Sequence, residues 1–464
     1  MSPGPSFSSR LWNSAVVWSW FFNGLRLSSY LVILPILSRV LSENDFGFYW
    51  ILVNLAGMVP LLDLGFSTAI DRGLSYAMGG ARELKAHGIA DPVEGEGSPN
   101  FELLWKLMFT TRWLYRLLSL GVFVFLGTWG SFVAHMRLGE TSDPGHAWLA
   151  WGLTLVAAVF ETYSGWWNVY LRGLNQVLLC SRILVVSFGL RTVLACSLLI
   201  AGAGLLSVPV ATLVSSFLQR GLSRHYALRF LATKPCPTPD RAEIVSLLQT
   251  LWPNSWRVGV HCLSNYLTPH ASTVLCEKFF GLAANAQYGL SLQIVAILQG
   301  MSMVWVQVKW PVVGQYLAQH KLSPVERILK PRLRLQLLSF LSMAVTAIAL
   351  TPKLLEWLNT GKAVLPQPWF MILALLALLE MHSNTWATFI SIGNRLPFLF
   401  ATVLTSFVSL GLAIALIHFS SVGVGALVLG PLIANAVYNY WRWPREGARI
   451  LETTWLAFMF RNSR

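Results

Sequence analysis

Lys234-Pro235-Cys236-Pro237-Thr238-Pro239-Asp240-Arg241 stands near the middle of a 464-residue chain and divides it. Three prolines at alternate positions remove backbone donors and fix φ, so no continuous helix passes through this stretch. On either side the sequence is apolar. Hydrophobic residues make up 55% of the chain, and Asp, Glu, Lys and Arg together only 12%, against about 25% in a soluble domain. With 21 Trp and 26 Phe and a mean hydropathy of +0.57, there is more apolar surface than a water-soluble fold can hide. A soluble enzyme, a nucleic-acid binder and a disordered chain are excluded, and a polytopic membrane protein remains.

A spanning helix takes about 20 apolar residues. Outward from the linker, six such runs lie upstream, at 13–37, 46–70, 106–134, 147–170, 177–201 and 205–229. Six lie downstream, at 248–274, 281–310, 333–358, 366–391, 396–419 and 422–441. The tightest connection is Ala201-Gly202-Ala203-Gly204, which leaves almost no loop. The expected fold is an all-α integral membrane protein with about twelve transmembrane helices in two six-helix bundles. The N-terminal lobe takes residues 1–232, a cytoplasmic linker 233–247, and the C-terminal lobe with its short tail 248–464. An even number of helices per half makes the repeat parallel, with a pseudo-two-fold axis along the membrane normal.

Charge orients the helices. The chain has 34 basic and 20 acidic residues, a formal net charge of +14. With the N-terminus in the cytoplasm, 24 basic residues fall on the cytoplasmic side and 5 on the other. That asymmetry predicts that both termini and the linker are cytoplasmic.

The halves echo one another. Asn23-Gly24-Leu25-Arg26 in the first is answered by Asn254-Ser255-Trp256-Arg257 in the second, with Trp20 and Trp252 before them and Tyr30 and Tyr266 after. Phe46-Gly47 and Tyr288-Gly289 repeat likewise, which indicates a duplicated unit. Two connections read as loops: Gly79 to Asn100, rich in Gly and Pro, and the basic Lys321 to Arg334. The tail from Arg445 to Phe460 alternates Arg with Leu, Trp and Phe, and reads either as an interfacial amphipathic helix or as a frayed end.

Ionisable groups inside spans cost about 2.5–3.5 kcal/mol each on insertion scales, so each is a functional candidate. Arg26, Arg112, Arg116, Arg191 and Arg257 are the basic ones. Arg26 and Arg257 occupy matching places in the two halves, while Arg112 and Arg116 share a helical face at i, i+4. They suggest a cationic cavity for a phosphate-bearing substrate, since guanidinium keeps its charge and forks onto two oxygens. Asn23 and Asn254 are substrate-binding candidates beside them; Arg191 reads as a structural or snorkelling residue. Asp63, Glu161 and Glu380 are candidates for ion coupling, the alternative being salt bridges to the arginines. His261 and His382 read mainly as hydrogen-bonded packing residues. Pro35, Pro60, Pro253, Pro269 and Pro311 interrupt spans in both halves.

Five cysteines occur, at 180, 196, 236, 262 and 276, without C-x-x-C spacing; they read as buried thiols. Paired carboxylates, a metal cluster and a Ser/His/Asp set do not emerge, so neither catalytic residues nor a metal or cofactor is expected.

Asn23-Gly24-Leu25-Arg26-Leu27-Ser28, Leu34-Pro35-Ile36-Leu37-Ser38-Arg39-Val40-Leu41-Ser42 and Phe46-Gly47 resemble the start of the polysaccharide (O-antigen-type) flippases. These belong to the multidrug/oligosaccharidyl-lipid/polysaccharide exporter superfamily. Leu61-Leu62-Asp63-Leu64-Gly65-Phe66, Leu171-Arg172-Gly173-Leu174-Asn175-Gln176 and Ala284-Asn285-Ala286-Gln287-Tyr288-Gly289 are similar to that family as well. The resemblance implies a V-shaped, two-lobed fold in the bacterial inner (plasma) membrane. It also implies alternating-access transfer of a polyprenyl-pyrophosphate-linked oligosaccharide from the cytoplasmic to the outer face, with Arg26 and Arg257 meeting the pyrophosphate. Membrane lipids, and a polysaccharide polymerase and glycosyltransferases, would be partners; nucleic acid would not. A multidrug-type exporter of the same fold is the alternative, disfavoured by a cavity with several arginines, which repels cations. A membrane-embedded glycan polymerase or ligase is a third reading, set against by the short external loop near His135 to His146.

Overall fold

The computed structural model of the chain describes residues 12–88, 98–231, 238–357 and 363–460. Lys234 to Pro237 of the linker, the centre of the loop before Asn100 and the last four residues lie outside these. The chain divides into two compact units, Met1–Leu84 with Val93–Trp252, and Lys85–Pro92 with Pro253–Arg464.

In the first unit α1 is Ala15–Val40, with Ser14 as its N-cap. The second pass is broken: α2 (Glu43–Gly57) gives way to a 3₁₀ turn, Val59–Asp63, before α3 (Phe66–Met78) resumes. Pro60 cannot continue the α ladder, and Leu64 (φ 50°) and Gly65 (φ 76°) then turn left-handed. The third pass is α4 (Phe101–Phe125), a π turn at Leu126–Gly130 and α5 (Ser131–Leu138). Then come α6 (Pro144–Gly173), α7 (Val177–Ile200) and α8 (Ser207–Leu231).

α9 runs from Arg241 to Gln307 and is split into two passes by Gly281 at φ 82°. Pro253 and Pro269 lie inside it without ending it, and α10 (Trp310–Ala318), with Pro311 in its first turn, completes the second pass. α11 (Leu322–Trp357), α12 (Gln367–Ile392) and α13 (Leu399–Phe419) follow. The last pass is α14 (Ala426–Val437) with α15 (Asn439–Ile450), and α16 (Trp455–Phe460) ends the described chain. Among the described residues, eight helical stretches are long and apolar enough to cross a membrane by length and composition alone. The all-helical architecture and its twelve-pass, two-bundle layout agree with the sequence expectation.

The two units use similar turns. The tight hairpin after α7 works because Gly202 (φ 84°) is left-handed and the Ala203 amide donates back to Leu198 O at 2.9 Å, a Schellman closure. A 3₁₀ turn follows at Gly204–Leu206, and its counterpart before α14 is Gly423–Gly425. α6 and α12 both end on a left-handed asparagine, Asn175 (φ 62°) and Asn394 (φ 57°).

One local expectation changes, and one left open is decided. Lys321 to Arg334 is not a loop, since α11 starts at Leu322. Val325, Leu329 and Leu333 fall on one face and are fully buried, which supplies the apolar stripe a helix needs. Lys330 on this stretch is buried, 3.5 Å from Glu326 and 5.8 Å from the Phe458 ring. The tail is not frayed. Phe458 is buried against Trp386, the Trp455 indole donates to His382 Nε2 at 3.1 Å, and Arg334 Nε donates to Met459 O at 2.9 Å.

Candidate functional site

Each unit holds its own cavity. In the first unit a space of about 680 Å³ is lined by α1, α2, the 3₁₀ turn and α4 on one side and by α6, α7 and α8 on the other. Arg26, Asp63, Glu161 and Arg191 all border it. Asp63 closes the turn that breaks the second pass. Its Oδ2 accepts from the Ser67 amide (3.0 Å) and hydroxyl (2.8 Å), and its Oδ1 from Tyr115 Oη (2.8 Å). The carboxylate therefore both faces the cavity and fixes the start of α3. Glu161 accepts from Ser216 Oγ at 3.1 Å and lies 4.0 Å from Arg191 Nη1. The arginine that read as structural thus lines the cavity and partners a candidate acid. Arg26, on α1, is solvent-exposed at the same cavity, and Asn23 spends its amide on Ser19 O one turn back.

In the second unit a smaller cavity, about 270 Å³, is lined by α9, α12, α13, α14 and α15. Its surface is polar: His261, Asn265, Gln299, Asn384, Asn435 and Asn439 surround Glu380. Among the described residues, no Lys or Arg lines it. Among the described residues, no hydrogen bond or ion pair reaches the Glu380 carboxyl. Asn439 is fixed by donating to Thr405 Oγ1 (2.9 Å) and Asn435 Oδ1 (2.7 Å), while its Oδ1 accepts from Trp443 Nε1 (2.9 Å). His261 Nε2 lies 3.2 Å from Asn265 Nδ2.

The remaining candidates sit elsewhere. Asn254 is buried and donates to Ala86 O and Asn394 Oδ1, both at 2.6 Å. Asn394 in turn donates to Lys85 O (2.7 Å) and Gly88 O (3.0 Å). Two asparagines thereby clamp the described start of the loop after α3 onto the second unit. Arg257 is half-buried and stands 5.7 Å from the ring of its neighbour Trp256. Arg112 and Arg116 are exposed and line neither cavity. Sequence reasoning missed Tyr115 as a cavity residue and read Arg191 as structural; Arg191 shares a helix face with Phe188 and Ala195, which line the same space.

The arrangement is that of a helical membrane protein with a cavity in each unit, the first mainly apolar with two acids and two arginines on its wall, the second polar around Glu380. Solved structures share the fold over nearly its whole length. A MATE protein in the bent conformation matches with a TM-score of 0.73 at 14% identity, covering 96% of this chain and 99% of that one. The outward-facing conformation of a multidrug resistance MATE family transporter of the MOP superfamily matches with a TM-score of 0.71 at 12% identity, covering 97% and 100%. A mutant of the Vibrio cholerae MATE transporter VcmN gives 0.69 at 14% identity, covering 96% of each chain. No family model matches the sequence, and no curated protein matches it. The chain therefore has the MATE-type transporter fold.

Proposed function

We propose that this chain is a multi-pass membrane exporter that works by alternating access, moves an amphipathic organic solute of the multidrug type, and draws on a cation gradient through Glu380. The observation that carries the reading is the MATE-type fold across 96–97% of the chain, joined to a second cavity whose carboxyl lacks a basic partner. A carboxylate at such a site attracts a proton, a metal cation or an organic cation, and releasing that charge on the far side is what couples a gradient to transport. The argument that arginines would repel cationic cargo weakens in the first cavity, where Asp63 and Glu161 stand beside Arg26 and Arg191. The proposed orientation keeps both termini in the cytoplasm, following the distribution of basic residues.

A second reading keeps the lipid-linked oligosaccharide as cargo. The shared presence of Arg26 and Arg191 at the 680 Å³ cavity favours it, because two guanidiniums can fork onto a pyrophosphate. Proteoliposomes loaded with purified protein separate the two. Gradient-driven movement of a fluorescent organic cation, abolished by Glu380→Gln, supports the first. Movement of a polyprenyl-pyrophosphate oligosaccharide, abolished by Arg26→Ala and indifferent to Glu380→Gln, supports the second and refutes the first.

A further inference from the structure

Arg112 and Arg116 on α4 and Arg220 on α8 lie away from both cavities, and α6 explains where they are. One face of α6 presents Glu161, Thr162 and Gly165 to the first cavity; at 100° per residue Phe160 and Tyr163 fall on the opposite face. The Tyr163 hydroxyl accepts from Arg220 Nη2 at 3.5 Å and is also hydrogen-bonded by Arg116. The Arg220 guanidinium lies 4.5 Å from the Tyr163 ring centre and 5.4 Å from that of Phe160. Two helices thus bring arginines to a phenol on a third.

What surrounds them is apolar and exposed: Leu117, Leu120, Phe123, Val156 and Phe217 are each at least 46% accessible. In a membrane chain such a surface faces acyl chains. From Leu117 to Met136 the third pass carries no Asp, Glu, Lys or Arg, and twenty residues of helix span about 30 Å, the hydrocarbon thickness. Arg116 and Arg112 then stand at headgroup level at the arginine-rich end. Arg191 and Arg172 each have a carboxylate, Glu161 at 4.0 Å and Asp71 at 3.0 Å. Among the described residues no carboxylate pairs with Arg112, Arg116 or Arg220.

We propose that Arg116 and Arg220, which meet at the Tyr163 hydroxyl, with Arg112 one turn from Arg116 on α4, bind the phosphate of an anionic phospholipid of the leaflet at that end, whose acyl chains lie along Leu117, Phe123 and Phe217. The two guanidiniums at the phenol supply forked donors, the phenol adds one more, and basic niches between helices at this level bind acidic headgroups. The site stands whichever cargo the protein moves.

Native mass spectrometry of delipidated protein, titrated with phosphatidylglycerol or phosphatidylcholine, tests it. Wild type should retain one phosphatidylglycerol at concentrations where phosphatidylcholine is stripped. Arg116→Gln with Arg220→Gln should weaken that binding at least tenfold, Tyr163→Phe several-fold, and Arg224→Gln, exposed on the same helix, not at all. Retention of the two lipids to the same degree, unchanged binding in both the double variant and Tyr163→Phe, or full displacement by millimolar inorganic phosphate would overturn the assignment to a lipid.

Discussion

Replacing Glu380 by Gln keeps the side chain's volume and removes its charge. Two roles make opposite forecasts. A structural carboxylate holds a cation in place, and its loss strands that cation; breaking a buried pair this way costs about 3–5 kcal/mol. Among the described residues the cavity around Glu380 has no Lys or Arg to strand, so neutralisation removes a desolvation cost and leaves the packing of Ser383, Asn384 and Tyr440 unchanged. The expected melting temperature in detergent is equal to or above that of wild type. For a unit of some 200 residues each kcal/mol is worth roughly 2–4 °C, so a structural role would show as a fall of about 6 °C or more. Transport should move the other way. With its exchangeable charge gone, gradient-driven export in proteoliposomes should drop at least tenfold, about 1.4 kcal/mol in the coupled step. The assay is dye efflux under an imposed proton or sodium gradient, with melting followed on the same preparation. A variant that melts several degrees lower and still exports at the wild-type rate would refute the reasoning.

Three further outcomes are expected. Glu161→Gln separates Glu161 from an arginine 4.0 Å away at a half-exposed site, so it should cost about 1 kcal/mol or less, read as a melting shift of under about 4 °C. Gly430→Ala should be more damaging, because a Cβ there would come within 2.7 Å of Ser409 O and 2.8 Å of Ala413 N, backbone atoms of α13 that cannot step aside; about 1–3 kcal/mol is expected, with Gly411→Ala, which meets nothing within 4 Å, as the control in the same melt. Asp143 accepts from the Gly145 and His146 amides as the cap of α6, and the His146 bonds hold its carboxyl below the usual carboxylate range; a depressed value gives stabilisation that is present above the ordinary carboxylate pKa and fades as pH falls through the lower, folded one, so amide exchange at Gly145 and His146 should accelerate at acid pH, and Asp143→Asn should flatten that pH dependence.

The helices were legible because the bilayer makes them so: spans must be long, apolar and internally hydrogen-bonded, and their ends carry the charges. The turns were legible where Gly or Asn marks a left-handed position, as at Gly202 and Asn175. Lys321 to Arg334 was misread because charge count outweighed periodicity; Val325, Leu329 and Leu333 already spelled a buried face. The cavities were half legible. Asp63, Glu161 and Glu380 stood out as costly residues in apolar runs, but composition cannot tell which face of a helix turns inward. Arg112 and Arg116 share a face, as the spacing said, yet that face points away from the cavity. Asn254 echoes Asn23 in sequence while its amide is spent on Ala86 O, from the loop after α3, and on Asn394 Oδ1 at the end of α12.

That last divergence bears on how a duplicated fold comes to do two jobs. Each unit closes a cavity with the same kinds of turn, so the backbone alone would give two similar spaces. The side chains break the equivalence. In the first unit each acid has taken partners: Asp63 binds Ser67 and Tyr115, and Glu161 binds Ser216 near Arg191. Those carboxylates are held in fixed positions, which suits a surface that must be complementary to a cargo. In the second unit asparagines hold one another, Asn439 to Asn435, and leave Glu380 to whatever enters. A charge without a fixed partner is poised to change its occupancy, and only a group that does so can carry a gradient's free energy into a change of state. On the reading proposed here the first cavity selects and the second couples. Cargo affinity should then respond to Arg26 and Glu161 variants measured without a gradient, and gradient dependence to Glu380 alone; a Glu380 variant that lost cargo binding at equilibrium while keeping its response to the gradient would show the division to be the reverse.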